Sequence, residues 1–373
     1  MRWKTEIPLS HTKRKWVTDN SDIVMSRRYI FRADGNAHIG LGHIMRSLTI
    51  ADALSTIVGR EAIIFACADE GSAKIAAERG YQTRVFGTDY DRMEEELPLW
   101  DYLCQDETVI LVDSYHVTDA YLEALGKHGK VAIMDDLQEH RFPVDAVINY
   151  NIFADRDKYL ELYGELNNCH LGSDYIPVRP EFNNVPYEIK DRIENVLITM
   201  GGADYLNITA VVYDALHATL MDKSDGGKSD SIRFHVISGL FSPGYQELKK
   251  REEAADDIIV YHDVKDMVGL ISKCDLAITA GGSTIYELAA VGVPFICLSY
   301  AKNQEAAVEY IGREIAINAG AYDKNPELTI KNVKSAFADK YINADYRRQH
   351  SEIEKRIVDG KGSMRIAEVL INL

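Results

Sequence analysis

The sequence has little of what would mark an exported, metal-knuckle or membrane-spanning protein. Its five cysteines, Cys67, Cys104, Cys169, Cys274 and Cys297, are scattered over 373 residues and form no C-x-x-C pair. An odd, dispersed set fits neither a disulfide framework nor a cysteine-based zinc site, and it fits a reducing compartment. Long apolar runs are missing too: the longest, 288–300, is broken by Gly292 and Pro294 and falls short of the ~18–20 residues of a membrane span. Excess positive charge is absent. Lysine and arginine number 42 against 58 carboxylates, a formal charge of −16, whereas gripping a phosphate backbone needs a basic surface. Neither nucleic acid nor stable membrane insertion is therefore expected. The first 24 residues are basic and polar, include Pro8 and lack the apolar core of a secretory signal, so the expected location is the cytoplasm.

What is present is length and alternation. At about 150 residues per domain, 373 residues suggest two to three domains. From Tyr29 onward, short β-rich runs at 29–32, 62–66, 109–112, 131–134 and 146–149 alternate with helical text, the pattern of parallel βαβ units. The alternation stops over 176–194, which carries Pro177, Pro180 and Pro186, and resumes with runs at 196–200, 234–237, 258–261, 276–279 and 295–298. The fold class expected is α/β: an N-terminal Rossmann-like domain over 25–180 and a second over 181–373, with the last helix crossing back. Residues 1–24 are expected to be a disordered extension. Because Met25 precedes Arg27-Arg28 and the first strand, they read as text upstream of a gene that starts at Met25. The stretch 222–231, glycine-containing and of mixed charge, reads as an exposed loop.

Each unusual polar or glycine-rich cluster falls where a strand ends and a helix begins. The first holds Arg32, Asp34, Gly35, His38, Gly40, Gly42 and His43. Its G-x-G lets another group approach the backbone, and the helix start behind it offers free N–H groups to an anion. A histidine there is disfavoured as imidazolium by the helix dipole, which suits a proton acceptor; it could equally be a packing or capping residue. The second cluster is Gly201-Gly202-Ala203-Asp204, where Asp204 and Asn207 are both candidate helix caps. The third is Gly281-Gly282-Ser283-Thr284 before Glu287, a cradle for a diphosphate that needs neither lysine nor metal; no Walker A motif is present. Thr284-x-x-Glu287 also spells a capping box, so Glu287 could close its own helix or touch a ligand. Tyr115 ends another strand, as does Asp135-Asp136, whose adjacent side chains leave on opposite faces and argue against a metal pair. Asn303 and Gln304 offer amides of the kind used to read sugar hydroxyls and acetamides.

In this order, Phe31-Arg-Ala-Asp34, Ile39-Gly-Leu-Gly-His-Ile-Met-Arg46, Asp113-Ser-Tyr115, Asp135-Asp-Leu137, Asn149-Tyr-Asn151, Leu171-Gly-Ser-Asp-Tyr175, Arg179-Pro-Glu-Phe182, Gly201-Gly-Ala-Asp204, Gly281-Gly-Ser-Thr284 and Asn303-Gln304 resemble one family. It is that of UDP-2,4-diacetamido-2,4,6-trideoxy-β-L-altropyranose hydrolase, of pseudaminic acid biosynthesis, with its spore-coat-polysaccharide relatives. The resemblance implies two glycosyltransferase-B-like Rossmann domains facing a cleft, and removal of UDP by water attack at the anomeric carbon without metal or cofactor. It implies His43 as general base and Tyr115 as a substrate-site residue. It implies UDP contacts from Gly201, Gly202, Gly281, Gly282, Ser283, Thr284 and Glu287, and sugar or diphosphate contacts from Arg32, Asp34, Gly40, Gly42, Asn303 and Gln304. Two departures, Tyr205 in place of proline and Asn36-Ala37-His38 in the first loop, bear on which sugar is bound. The alternatives are a glycosyltransferase of the same architecture and a nucleotide-sugar binding protein without catalysis. Oligomeric state stays open.

Overall fold

The computed structural model describes residues 27–373 except 37, 105–106, 224–231 and 240. The expected extension 1–24, the start at Met25 and most of the expected loop 222–231 lie outside those residues.

Two parallel sheets organise the chain. The first has seven strands, β1 (Arg28–Ala33), β2 (Ile63–Cys67), β3 (Gln82–Val85), β4 (Thr108–Asp113), β5 (Gly129–Met134), β6 (Ala146–Asn149) and β7 (Cys169–Leu171), in the order β3-β2-β1-β4-β5-β6-β7. The second has six, β8 (Asn195–Thr199), β9 (Arg233–Ser238), β10 (Ile258–His262), β11 (Leu276–Ala280), β12 (Phe295–Ser299) and β13 (Ile317–Ala321), in the order β10-β9-β8-β11-β12-β13. In both, the order reverses beside the first strand, between β1 and β4 and between β8 and β11. Such switch points open a crevice at the carboxyl ends of the strands. The first three clusters and Tyr115 fall at these two crevices.

The central strands form because their apolar runs are covered on both faces; all of β2, for example, is buried. β3, β7 and β13 escaped the sequence reading. β3 is Gln-Thr-Arg-Val on the sheet edge and largely exposed, and β7 has three residues, so neither carries a buried-strand signature.

The halves are tied by chain that crosses between them. Ile152, Ile176, Val178 and Phe182 sit in one apolar cluster with Leu288, Val291, Phe295 and Val358 of the second half. At the other end, Ile366, Ala367 and Leu370 of the last helix (Gly362–Asn372) pack with Ile44, Leu48 and Ala51 of helix Gly42–Val58. The last helix therefore braces the helix that carries His43. Its start leaves no room for a side chain: a Cβ on Gly362 would lie 2.1 Å from the carbonyl oxygen of Ile176.

Helix Ala344–Ile357 backs onto helix Thr284–Val291 and buries Glu354 completely, with neither carboxylate oxygen paired. Burial pushes this carboxyl well above the usual range, and Lys355 opposes it only weakly. The folded chain thus holds a proton that the unfolded chain releases near pH ~4.3, so stability falls as pH rises through and above that value. Glu354→Gln is expected to remove this slope, gaining on wild type by up to about 1.4 kcal/mol per pH unit in urea unfolding between pH 5 and 7. Parallel pH profiles for the two proteins would contradict the assignment.

Candidate active site

At the end of β1 the chain folds a small lobe over the start of helix Gly42–Val58. The N–H of Asn36 donates to the carbonyl of Gly40 at 3.1 Å, and Asn36 Oδ1 accepts the N–H groups of His38 and Ile39 at 2.9 and 3.1 Å. Gly40 has φ +75°, the left-handed region, and a Cβ on Gly35 would lie 2.4 Å from Ile44 Cγ2. This lobe delivers His43 to the second position of the helix, only 6% exposed.

His43 Nδ1 lies 2.6 Å from Asp113 Oδ1 at the end of β4. Arg46 Nη2 also lies 3.0 Å from Nδ1, but the shorter contact is with the carboxylate oxygen. Two lone pairs facing each other at 2.6 Å would repel, which favours hydrogen on Nδ1 and a free lone pair on Nε2. One turn on, Arg46 fills the space between two carboxylates. Its Nε donates to Asp113 Oδ2 at 2.5 Å, its Nη2 to Asp113 Oδ1, and its Nη1 to Asp136 Oδ2 at 2.6 Å and to the Tyr150 hydroxyl at 2.8 Å. Burial works against ionising Asp113, but Arg46 and His43 outweigh it and hold the carboxyl well below the usual range. Arg46 pays a desolvation cost that Asp113 and Asp136 overcome, so it stays charged.

Tyr115 is 47% exposed; its ring meets His43 edge-on with centroids 4.5 Å apart, and its hydroxyl donates to Asp136 Oδ2 at 2.8 Å. Partial burial and the neighbouring Asp136 push the phenol up, so it remains protonated.

The second crevice meets this cluster through aromatic rings. Tyr150, which accepts from Arg46, is T-shaped against Tyr286 at 6.2 Å, and Tyr286 lies near enough to feel the charges of Asp136 and Arg46. Tyr286 belongs to helix Thr284–Val291, which starts just after Gly281-Gly282. A Cβ on Gly281 would collide with Val308 Cγ2 at 2.4 Å, whereas Gly282 faces open space. At the start of this helix the Ile285 and Tyr286 N–H groups donate to the carbonyls of Gly282 and Ser283 at 3.2 and 3.0 Å, which leaves those of Ser283 and Thr284 to donate to an anion. Gly201 adopts φ +81°, and its turn is pressed against Gly239, where a Cβ would lie 2.1 Å from the Gly201 oxygen.

His43 and Tyr115 are thus brought together, with Gly40 and Gly42 framing them and the Gly281–Glu287 segment across from them. Other expected contacts require correction. Arg32 is fully buried, with Nε and Nη2 on Glu96 at 2.8 and 2.5 Å and Nη1 on Asp34 at 2.5 Å. Asp34 spends its other oxygen on the Ala68 N–H at 2.8 Å. Neither can reach a sugar or diphosphate; they anchor the base of the first loop. The capping box is not formed: Ser283 is the N-cap without a side-chain bond, and Glu287 Oε1 instead accepts Arg179 Nε and Nη2, both at 3.0 Å. Burial raises the Glu287 carboxyl while Arg179 opposes the shift. Asp204 caps helix Ile208–Lys223 by accepting from Ile208 and Thr209 at 2.8 Å; Asn207 does not, donating to Glu247 instead. Gln304 Oε1 accepts the Tyr300 N–H at 3.1 Å, which leaves its amide nitrogen, while Asn303 is exposed on the first turn of helix Lys302–Glu314.

The sequence reading missed Arg46, Asp113 and Asp136 as members of the site, together with Tyr150, Tyr286 and Arg179. Arg46 had a signal, since three residues after His43 on a helix puts both on one face. The carboxylates did not: Asp113 and Asp136 leave different strands and meet only through Arg46. Among the described residues no group of three or more His, Cys, Asp or Glu is placed to hold a metal, and no helix is long and apolar enough to cross a membrane.

Residues 195–357 match the model of the glycosyltransferase family 28 C-terminal domain. Spore coat polysaccharide biosynthesis protein SpsG of Bacillus subtilis is 25% identical over 350 residues, 91% of this chain and 97% of that protein. UDP-2,4-diacetamido-2,4,6-trideoxy-β-L-altropyranose hydrolase of Campylobacter jejuni is 23% identical over 293 residues, 77% of this chain and 97% of that one. Among solved structures, MurG of Acinetobacter baumannii superposes with a TM-score of 0.62 at 14% identity, covering 93% of this chain and 100% of that one. UGT71G1 of Medicago truncatula, complexed with UDP-glucose, gives 0.59 at 10% identity, covering 94% and 99%. The fold is that of the glycosyltransferase-B enzymes. The resemblance seen in the motifs is borne out, and the two Rossmann-like halves expected for the glycosyltransferase-B fold are those observed. The second half is thus similar to a family 28 glycosyltransferase domain, and most of the chain is similar to a protein of spore coat polysaccharide biosynthesis and to a UDP-sugar hydrolase.

Arg46→Met would leave Asp113 and Asp136 buried without their cation. The lowered Asp113 carboxyl contributes stability above its unfolded value near ~3.9 and loses it as pH falls below that. The variant is therefore expected to lose about 3–5 kcal/mol at pH 7.5 in urea unfolding, with the gap to wild type narrowing below pH 4. A pH-independent difference, or none, would contradict the ion network.

Proposed function

We propose that this chain is a hydrolase of a UDP-sugar, with His43 as general base. The sugar nucleotide of first choice is UDP-2,4-diacetamido-2,4,6-trideoxy-β-L-altropyranose, giving UDP and 2,4-diacetamido-2,4,6-trideoxy-L-altrose for pseudaminic acid biosynthesis in the cytoplasm. The observation that carries the reading is the 2.6 Å contact of His43 Nδ1 with Asp113, which leaves Nε2 as a proton acceptor beside the exposed Tyr115.

The chemistry asks for two things. A water must lose a proton to Nε2 as its oxygen bonds to the anomeric carbon, and the bonding pair of the breaking C–O bond must leave on the β-phosphate of UDP. His43 can take the proton, with Asp113 stabilising the imidazolium and Arg46 keeping Asp113 from accepting that proton itself. The start of helix Thr284–Val291 and the Gly201-Gly202 turn supply backbone donors for the diphosphate, which leaves as an anion and needs no acid. Glu287, held by Arg179, stands at the end of that cradle for the ribose. Similarity to the Campylobacter jejuni hydrolase over most of both chains supports the choice of sugar.

A second reading is a glycosyltransferase, favoured by the match of 195–357 to a glycosyltransferase domain. There the same base would deprotonate an acceptor hydroxyl. The two part on one assay, UDP release from the named substrate with chelator present and no acceptor. Release is expected, and His43→Ala is expected to reduce it by ~10²–10⁴-fold while retaining UDP binding. Binding without release would turn the reading to the transferase or to a non-catalytic binder. Glu287→Ala is expected to weaken UDP binding about tenfold, beyond any effect on melting temperature; unchanged affinity with a lowered melting temperature would make the pair with Arg179 purely structural.

A further inference from the structure

The hydrogen bonds already made by His43 and Tyr115 determine what each can still do. Nδ1–H of His43 is directed at Asp113 at 2.6 Å, with Arg46 Nη2 3.0 Å from the same nitrogen, and Nε2 has no hydrogen-bond partner among the described residues. The Tyr115 proton is committed to Asp136 Oδ2, an oxygen that also accepts from Arg46 Nη1. A phenol that donates inward can only accept on its open side. The rings touch, at 4.5 Å between centroids, so these two acceptor groups belong to neighbouring side chains at the first crevice.

We infer that this paired-acceptor arrangement selects water over an alcohol as the nucleophile, and that Tyr115, set by Asp136, is the residue that makes the selection. The inference rests on the hydrolase reading and explains why transfer would fail at this site. Water has two hydrogens. One goes to Nε2 and is transferred there as the oxygen bonds to the anomeric carbon; the other stays on the new sugar hydroxyl and is held meanwhile by Tyr115 Oη. The C–O bond to UDP breaks with its electron pair on the phosphate oxygen, so the sum is one water consumed and one proton left on His43. A sugar or simple alcohol has a single hydroxyl hydrogen. With that hydrogen on Nε2, its carbon stands where the second hydrogen of water would, and Tyr115 Oη loses a partner. Through Arg46 one cation governs both acceptors, since it donates to both Asp113 and Asp136.

Two measurements test this. In the unliganded protein, long-range ¹H–¹⁵N correlation of the ring nitrogens, with His43 assigned by its loss in His43→Gln, is expected to show the Nδ1–H tautomer at pH 8. An Nε2–H ring would overturn the paired acceptors whatever the activity. In water–methanol mixtures, UDP-2,4-diacetamido-2,4,6-trideoxy-β-L-altropyranose is expected to give free sugar in at least about fivefold excess over the methyl glycoside that the mole ratio predicts, and Tyr115→Phe to erase about that factor. An unchanged partition in Tyr115→Phe would overturn the role of Tyr115. Absence of any UDP release would overturn the hydrolase reading, and with it the selection of water, while the tautomer result would still decide the arrangement itself.

Discussion

The active-site half of the molecule depends on one buried cation. Arg46 bridges Asp113 and Asp136, which arrive on different strands of the first sheet, and touches Tyr150, which faces the second half. Burying a guanidinium or a carboxylate alone costs several kcal/mol, so none of these three charges is stable in place without the others. That mutual dependence fixes geometry as well as charge. Asp113 is held ionised and oriented to accept from His43 Nδ1–H, and Asp136 is oriented to accept from the Tyr115 hydroxyl. A planar guanidinium with five donors in fixed directions is suited to this; a lysine ammonium could reach one carboxylate but could not hold both in register.

The fold puts that cluster where a ligand can reach it. Both sheets reverse strand order beside their first strand, and each reversal leaves a crevice lined by loop-to-helix turns. The first crevice carries the acceptors, the second the backbone donors, and the Tyr150–Tyr286 contact joins them. Stability is arranged to protect the same region: the last helix returns to brace helix Gly42–Val58, and the buried set Arg32, Asp34 and Glu96 pins the loop that precedes it. A division of labour follows, in which Arg32 and Asp34, which look like ligand contacts from their place in a motif, are scaffold, and His43 and Tyr115, the groups proposed to act on substrate, lie nearer the crevice.

That division explains what could be read from the sequence. The two α/β halves were legible because central parallel strands are continuous apolar runs, and the crossing helix because apolar text remains after the last strand. The glycine turns were legible because a positive φ at Gly40 or Gly201, or a forbidden Cβ at Gly281, leaves only one residue type. His43 and Tyr115 were found from their motifs. Arg32 and Asp34 were misplaced because an Arg-x-Asp at a strand end looks the same whether it faces a ligand or Glu96, a partner 64 residues away that sequence adjacency does not reveal. The pairing of Glu287 with Arg179, 108 residues away, defeated the local capping-box reading for the same reason.

The role proposed for His43 requires that water attack the anomeric carbon. Turnover of UDP-2,4-diacetamido-2,4,6-trideoxy-β-L-altropyranose in H₂¹⁸O, with the products separated and weighed by mass spectrometry, reads this directly. The proposed base at His43 beside the sugar, with donors at Ser283 and Thr284 for the leaving diphosphate, predicts label in the released sugar and none in UDP. Label in the β-phosphate of UDP would mean attack at phosphorus, and would contradict both the role given to His43 and the orientation given to the substrate.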